Sequence, residues 1–165
     1  NRHLFAMLRT ANKCFTVRPK RRRNNMAAQT YSIDFNGYWR DKNKGGIPSS
    51  SGVYCVYSCV YNQSEETVSL KKLIYIGEAG NANSRVANHE KYDDWKSHLK
   101  SGEVLCFSFG PVSAADRDRC EAAMIFKHKP PENTEYVNSF PFDQTTMKLS
   151  GKTALLSTNF TVYRT

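Results

Sequence analysis

The pattern of hydrophobic and polar positions in the middle of the chain predicts two strands, which come before the first predicted helix. Residues 53–61 are dense in Val, Tyr and Cys, and the short run 73–76 is also rich in residues that favour strands. A polar stretch without helical periodicity, residues 62–72, lies between the two runs. We therefore predict an antiparallel hairpin with a long connecting loop.

The pattern after this hairpin predicts a helix, a third strand and a second helix. Two glycines end the second strand, and an asparagine is a suitable N-cap for a helix over about residues 83–90. The third strand is predicted over 104–109. Ser113 and Asp116 then have the spacing of a capping box, and a helical period continues to about Lys127. The predicted order is β-β-α-β-α.

These elements predict an α/β fold of the α+β type, in which a small, mainly antiparallel three-stranded sheet is flanked by helices. The segment 155–163 has the composition of a further edge strand. A length of 165 residues suits one domain, which we expect over 30–165 after a basic leader, residues 1–29. The longest apolar runs are far shorter than a membrane span, which excludes a transmembrane protein.

The charge is unevenly distributed along the chain. The sequence has 24 Lys and Arg against 15 Asp and Glu, but eight of the basic residues and none of the acidic ones lie in residues 1–25. The leader is therefore interpreted as a trimmed extension, a basic DNA-binding arm or a transit-like presequence. Since the remaining residues are almost neutral, we predict weak DNA affinity for them alone. The candidate nucleic-acid-binding residues of the leader are Arg18, Lys20, Arg21, Arg22 and Arg23.

The cysteines indicate no disulfide framework and no zinc site. There are five, and none of them forms a paired Cys-x-x-Cys spacing. Cys55 and Cys59 are expected to be small buried side chains in a strand. This use of cysteine favours a reducing, intracellular location, cytoplasmic or nucleoid-associated, over secretion.

Two triplets mark the ends of the predicted hairpin. Gly52-Val53-Tyr54 opens its first strand and Tyr75-Ile76-Gly77 closes its second, so the two tyrosines are expected to lie near one another. Here the sequence resembles the GIY-YIG nuclease family. The resemblance extends to an Arg on the first helix and a metal-binding Glu on the second, here Arg85 and Glu121. A His four residues after the Arg, His89, and an Asn near prolines, Asn133, resemble the restriction-type members of the family.

The chemistry of phosphodiester hydrolysis suits these residue types. Glu121 is a hard oxygen ligand for Mg²⁺ or Mn²⁺, and Arg85 can bind a phosphate through two parallel hydrogen bonds. His89 has an ordinary pKa of about 6.5 and is the expected proton acceptor, directly from water or through Tyr54. Tyr75 is expected to orient that pair. Asn133 follows the second helix and is expected to fix the pocket or a phosphate through its amide.

Each of these residues also has an ordinary structural interpretation. The two tyrosines are common strand aromatics, Arg85 and His89 could form a solvated helix face, and Glu121 could pair with Arg117. Asn133 could be an ordinary turn residue after two prolines. It is the order of all six positions, over residues 52–133, that favours catalysis.

The expected function is a divalent-metal-dependent DNA endonuclease that acts on duplex DNA by a one-metal mechanism, with water activated by Tyr and His. Two alternatives stay open. The first is a non-catalytic nucleic-acid-binding relative, because Glu78 follows the second triplet where many members of the family have Lys, and a carboxylate there repels phosphate. The second is a protein-interaction domain. Cutting both strands of a symmetric site would favour a dimer or sequential nicking.

Overall fold

The computed structural model, which describes residues 27–165, contains a mixed sheet of six strands, two of whose central strands are buried on both faces and whose outer strands alternate buried and exposed side chains. The strands are β1 (Gln29–Arg40), β2 (Gly52–Asn62), β3 (Thr67–Ala79), β4 (Val104–Pro111), β5 (Thr145–Gly151) and β6 (Asn159–Val162). Their order across the sheet is β3-β2-β4-β1-β5-β6. The helices are α1 (Ala82–Ala87), α2 (Tyr92–Lys96) and α3 (Arg117–His128), and a 3-10 helix, Asp41–Gly46, follows β1.

The prediction of a three-stranded sheet flanked by helices is wrong. The predicted strands are present as β2, β3 and β4, which pair antiparallel, but they form only half of the sheet. The other half begins with β1, which pairs antiparallel with β4 and parallel with β5. A parallel pair joins segments that are distant in the chain, so its existence has no local signal. The predicted edge strand in 155–163 is confirmed as β6.

The expectation of a long loop inside the hairpin is also wrong. The ladder between β2 and β3 continues to the pair Asn62 and Thr67, which leaves only a four-residue turn. The polar residues of this segment belong to a strand with one exposed face, where Val68 and Leu70 pack on the core and their neighbours face solvent. Two register irregularities in the ladder weaken the regular alternation that would have indicated a strand.

The two faces of the sheet have separate cores. On one face Val53, Cys55 and Ile76 pack with α3, and on the other Tyr54 and Val56 pack with residues of α1 and α2. Because β3 lies at the edge of the sheet, side chains from both faces meet along it.

The helices are short apart from α3. This helix ends one residue after the predicted Lys127, but it begins at Arg117, three residues later than a capping box at Ser113 predicts, because Asp116 and not Ser113 is its N-cap. Helix α1 ends at Ala87, before the expected Glu90. None of the helices in residues 27–165 is long and apolar enough to cross a membrane. The leader residues that are candidates for binding nucleic acid, Arg18 and residues 20–23, lie outside the part of the chain that the structure describes.

Candidate functional site at the edge of the sheet

The glycines of both triplets are required by close packing across strands. Gly77 lies opposite Tyr54 in the ladder, and the tyrosine ring covers it: a Cβ on Gly77 would lie 2.4 Å from the Tyr54 Oη. The same Cβ would lie 2.7 Å from Cε1 of Tyr75. On Gly52, a Cβ would lie 2.2 Å from the carbonyl oxygen of Gly110. The triplets therefore place two tyrosines against one another at the end of the hairpin.

An aromatic cluster surrounds these tyrosines. The ring centroids of Tyr54 and Tyr75 are 6.2 Å apart, and His89 lies 6.3 Å from the first and 5.3 Å from the second. Trp95 of α2, which is fully buried, packs on His89 at 4.4 Å. Burial raises the pKa of the Tyr75 hydroxyl to about 12 and that of Tyr54 further. The hydroxyls are therefore protonated at neutral pH.

Arg85 places a positive charge beside the two tyrosine hydroxyls. Asn81 caps α1 by accepting the backbone N–H of Ser84 at 3.0 Å, and this fixes the helix that carries Arg85 next to the cluster. The guanidinium lowers the pKa of both Tyr54 and Tyr75, although burial outweighs it. Its two terminal nitrogens donate to the carboxylate of Glu90 at 2.7 Å and 2.8 Å. The two nitrogens of Arg85 that would bind a phosphate thus donate to a carboxylate in this structure.

His89 lies beyond the end of α1, and not on one helical face with Arg85 as the predicted helix would have placed it. Its Nδ1 accepts the backbone N–H of Lys91 at 3.0 Å. Burial, with the charges of Arg85 and Lys91, lowers its pKa to about 4, so the imidazole is neutral at neutral pH and carries its hydrogen on Nε2. Nε2 is buried and has no partner among residues 27–165. This arrangement makes His89 a hydrogen-bond donor, and it does not support the expected role of proton acceptor.

Glu121 reaches the same place from α3, on the other side of the edge strand. Its charge raises the pKa of both tyrosines, and it borders a cavity of about 150 Å³ together with Tyr75, Lys91 and Asn133. Burial raises the pKa of Glu121 to about 8, and the negative charges of neighbouring carboxylates act in the same direction. These neighbours are Glu78, Asp118 and Glu135.

The environment of Glu121 fits a divalent cation. A half-buried carboxylate among other carboxylates is relieved of repulsion when a cation binds, and Mg²⁺ needs few protein ligands because it keeps several waters. No group of three or more His, Cys, Asp or Glu side chains within residues 27–165 has the arrangement of a metal site. Among the candidate residues, Glu121 is the one whose side chain could hold Mg²⁺ or Mn²⁺, with water completing the shell.

Asn133 binds the backbone of the edge strand. Its Oδ1 accepts the N–H of Ile76 at 2.9 Å, and its Nδ2 donates to the carbonyl of the same residue at 2.8 Å. The N–H of Glu132 also donates to the carbonyl of Ile74. Segment 132–133 thus pairs with β3 on both sides of Tyr75 and forms one wall of the cavity. One donor and one acceptor of the amide are used in this contact, which positions the tyrosine.

Glu78, the residue that departs from the family pattern, is paired. Its Oε2 lies 3.0 Å from Nε of Arg117, and both side chains are largely buried. The ordinary structural interpretation of Glu121 predicted that it pairs with Arg117. In the structure Arg117 pairs with Glu78 instead. This pairing offsets the negative charge that Glu78 would present to a phosphate.

Three residues of the site were not predicted from the sequence. Trp95 closes the aromatic cluster, Glu90 holds Arg85, and Lys91 donates from its Nζ to the carbonyl oxygen of Glu132 at 3.1 Å. All three come from the segment 88–95, which was expected to be the end of one helix and instead contains a break and a second helix. The close spacing of charged and aromatic residues in this segment was the available signal.

Six positions expected from the sequence thus lie around one place, the edge of β3. Tyr54, Tyr75, Arg85, His89 and Glu121 interact directly or through their charges, and Asn133 forms a wall of the same cavity. In comparisons with known proteins, no family model, no curated protein and no solved structure matches this chain.

Proposed function

We propose that this chain is a divalent-metal-dependent DNA endonuclease of the GIY-YIG type, which hydrolyses phosphodiester bonds. The observation that carries the proposal is the convergence on Tyr75. Side chains from β2, β3, α1, α3 and two loops surround its ring and hydroxyl, although they are up to 79 positions apart in the sequence. Convergence of residues that are individually ordinary is typical of a catalytic site.

Each residue has a role that follows from its surroundings. Arg85 binds the phosphate through its two terminal nitrogens once Glu90 is displaced, and Nε2–H of His89 donates to a phosphate oxygen or to the attacking water. Tyr75 stays protonated at neutral pH, because burial and Glu121 raise its pKa more than Arg85 lowers it, and its hydroxyl accepts a hydrogen bond that orients the attacking water. The water oxygen bonds to phosphorus and loses a proton to solvent, the bond from phosphorus to the leaving oxygen breaks, and the leaving oxygen takes a proton from solvent.

The metal belongs to Glu121 in this proposal. The chemistry that bound Mg²⁺ or Mn²⁺ supplies is charge neutralisation on the phosphate and a lower pKa of bound water. Duplex DNA is the proposed substrate, on the resemblance to restriction-type members of the family. An intracellular location, cytoplasmic or nucleoid-associated, accords with the four free thiols found in residues 27–165.

The test is cleavage of supercoiled plasmid, with Mg²⁺, with Mn²⁺ and with EDTA. The wild type is expected to nick or linearise the plasmid only when metal is present. Tyr75→Phe, which removes one hydroxyl at the centre of the site, is expected to lower the rate by about tenfold to a hundredfold. Tyr163→Phe is the matched control, because Tyr163 is 62% exposed and is not among the residues that form the site. This variant should cleave as the wild type does.

A non-catalytic nucleic-acid-binding protein is the second candidate. Two observations favour it: the fork of Arg85 is held by Glu90, and the unprotonated nitrogen of His89 already accepts a hydrogen bond. Plasmid that stays intact with both metals, while the protein still shifts duplex DNA in a mobility assay, would support this candidate against the nuclease. Equal cleavage by the wild type and Tyr75→Phe would remove Tyr75 from the mechanism.

Glu90→Gln is expected to strengthen binding of duplex DNA in EDTA by about threefold to tenfold. The carboxylate of Glu90 occupies the donors of Arg85, and the pair holds the pKa of Glu90 down to about 2, so the competing charge is present at every working pH. Glutamine removes that charge. Glu65→Gln is the control, since it makes the same charge change at an exposed position in the turn between β2 and β3. Equal strengthening by both variants would show that net charge, and not the Arg85 pair, is responsible.

A further inference from the structure

Three short elements near the site form one continuous surface. The side chain of Asn83 on α1 donates to the carbonyl oxygens of Gly45 and Ile47 at 3.0 Å and 2.8 Å. The hydroxyl of Tyr92 on α2 donates to the carboxylate of Asp41. The 3-10 helix is thus attached to both α1 and α2. We name this face, residues 40–46 and 81–100, the helical face; it includes Arg85.

The helical face carries the positive charge of the described chain. It has seven Lys and Arg against four Asp and Glu, whereas the rest of residues 27–165 has nine against eleven. The near-neutral total therefore hides a positive region beside the site and a negative remainder. The basic residues of the face are Arg40, Lys42, Lys44, Arg85, Lys91, Lys96 and Lys100.

The acidic groups of the face leave part of this charge available. The carboxylate of Asp41 receives both Lys44, at 3.0 Å, and Tyr92, so it does not offset the other lysines. Lys44 and Lys96 lie over the ring of Tyr92, at 4.4 Å and 5.1 Å from its centroid. Lys96 also lies 3.8 Å from Asp93, but both side chains are exposed, so this ion pair is weak and a phosphate can displace it. Lys42 is exposed and has no partner in residues 27–165. The face thus combines cations with a supporting aromatic ring.

A recess lies between these cations. It has a volume of about 250 Å³, and its lining combines three basic side chains with one acidic and three apolar ones: Arg40, Lys42, Lys96, Asp41, Leu99, Val104 and Leu105. The guanidinium of Arg40 is fixed over the ring of Tyr61, with Cζ 3.4 Å from the centroid. Three cations around one recess, on the face that includes Arg85, form a surface of the kind that positions a phosphate backbone.

We propose that the helical face binds the phosphate backbone of duplex DNA next to the cleaved phosphate, chiefly through Lys42 and Lys96. This inference rests on the proposed function for its choice of partner. Lysines that contact phosphates without reading bases contribute affinity that falls steeply with salt, and each contact adds about one to the slope of log affinity against log salt. The face supplies the DNA affinity that the net charge of residues 27–165 does not indicate.

The experiment compares two double variants of the full chain, binding a short labelled duplex in EDTA over a series of salt concentrations. Lys42→Gln with Lys96→Gln removes two charges from the helical face. Lys148→Gln with Lys152→Gln removes the same charge at exposed positions of β5 and the residue after it. The first pair is expected to weaken binding by about tenfold or more and to lower the salt slope by about two. The second pair should leave the slope unchanged.

Two outcomes would overturn the inference: equal loss of affinity in both double variants, or no loss in the first. Because binding is measured without metal, the result does not depend on cleavage. Cleavage by the wild type with an unaffected slope in the first pair would refute the surface and leave the nuclease standing. A reduced slope with no cleavage under any condition would refute the nuclease and leave the surface standing. Circular dichroism of each variant confirms that the fold is retained.

Discussion

Glu121→Gln is expected to abolish metal-dependent cleavage and, in the same protein, to raise the free energy of unfolding at about pH 8 in EDTA. Glutamine preserves the size of the side chain but removes the charge that would hold a cation, and losses of about a hundredfold or more are usual when such a group is removed. The gain in stability follows from the electrostatics of the site. A charged Glu121 is disfavoured by burial and by Glu78, Asp118 and Glu135.

The direction in which stability changes with pH follows from the raised pKa of Glu121. The pKa of Glu121 rises from 4.5 to about 8 in the folded chain, so between these values the native state holds a proton that the unfolded chain has released. Stability from this group is therefore fully present below about pH 4.5 and is lost as the pH rises towards about 8. The loss is about 5 kcal/mol, on the scale of about 1.4 kcal/mol for each pKa unit. In Glu121→Gln this component is absent.

Urea denaturation in EDTA, at pH values on both sides of this window, measures the effect. Glu65→Gln, at an exposed position in the turn between β2 and β3, is the control and should retain the pH dependence of the wild type. Adding Mn²⁺ should raise the melting temperature of the wild type and of the control but not that of Glu121→Gln. A melting temperature that rises equally in all three proteins would place the metal elsewhere.

How far the sequence predicts the fold depends on whether a strand has local partners. The hairpin of β2 and β3 was predicted because its two strands adjoin in the chain. By contrast, β1 buries every second side chain, Ile33 and Phe35, and β5 likewise buries Met147 and Leu149. These two strands pair with each other in parallel. More than a hundred residues separate them, so the signal of each short segment could not show what it pairs with.

The candidate site was predicted better than the sheet that carries it. Tyr54, Tyr75, Arg85, His89 and Glu121 were expected together, and the structure brings them together. Their protonation was not predictable, because it depends on contacts with no spacing rule. The backbone N–H of Lys91 on Nδ1 decides which nitrogen of His89 carries hydrogen. Glu90 likewise changes Arg85 from a free cation to a paired one.

Gly77→Ala is expected to destabilise the chain by about 2–3 kcal/mol and to remove cleavage. The new methyl group would lie 2.4 Å from Oη and 2.5 Å from Cζ of Tyr54, and 2.7 Å from Cε1 of Tyr75. Since Tyr54 is 1% exposed and packed from all sides, its ring cannot move away without displacing the cluster around His89. The change therefore acts on stability and on the position of both hydroxyls.

Gly45→Ala is the matched control, because a Cβ at Gly45 meets no atom within 4 Å and alanine there reduces only the freedom of the unfolded chain. It should leave stability unchanged or slightly higher. The steric origin of the Gly77 effect is tested in a second background. With Tyr54→Ala already in place, the two contacts with Tyr54 are gone and the contact with Cε1 of Tyr75, at 2.7 Å, remains, so Gly77→Ala should then cost about 1–2 kcal/mol less than in the wild type. An equal cost in both backgrounds would mean that the strand itself, and not the tyrosine lying across it, requires glycine. The expected non-additivity would link the glycine of the second triplet directly to the tyrosine of the first, so that the two triplets act as one packing unit beneath the site.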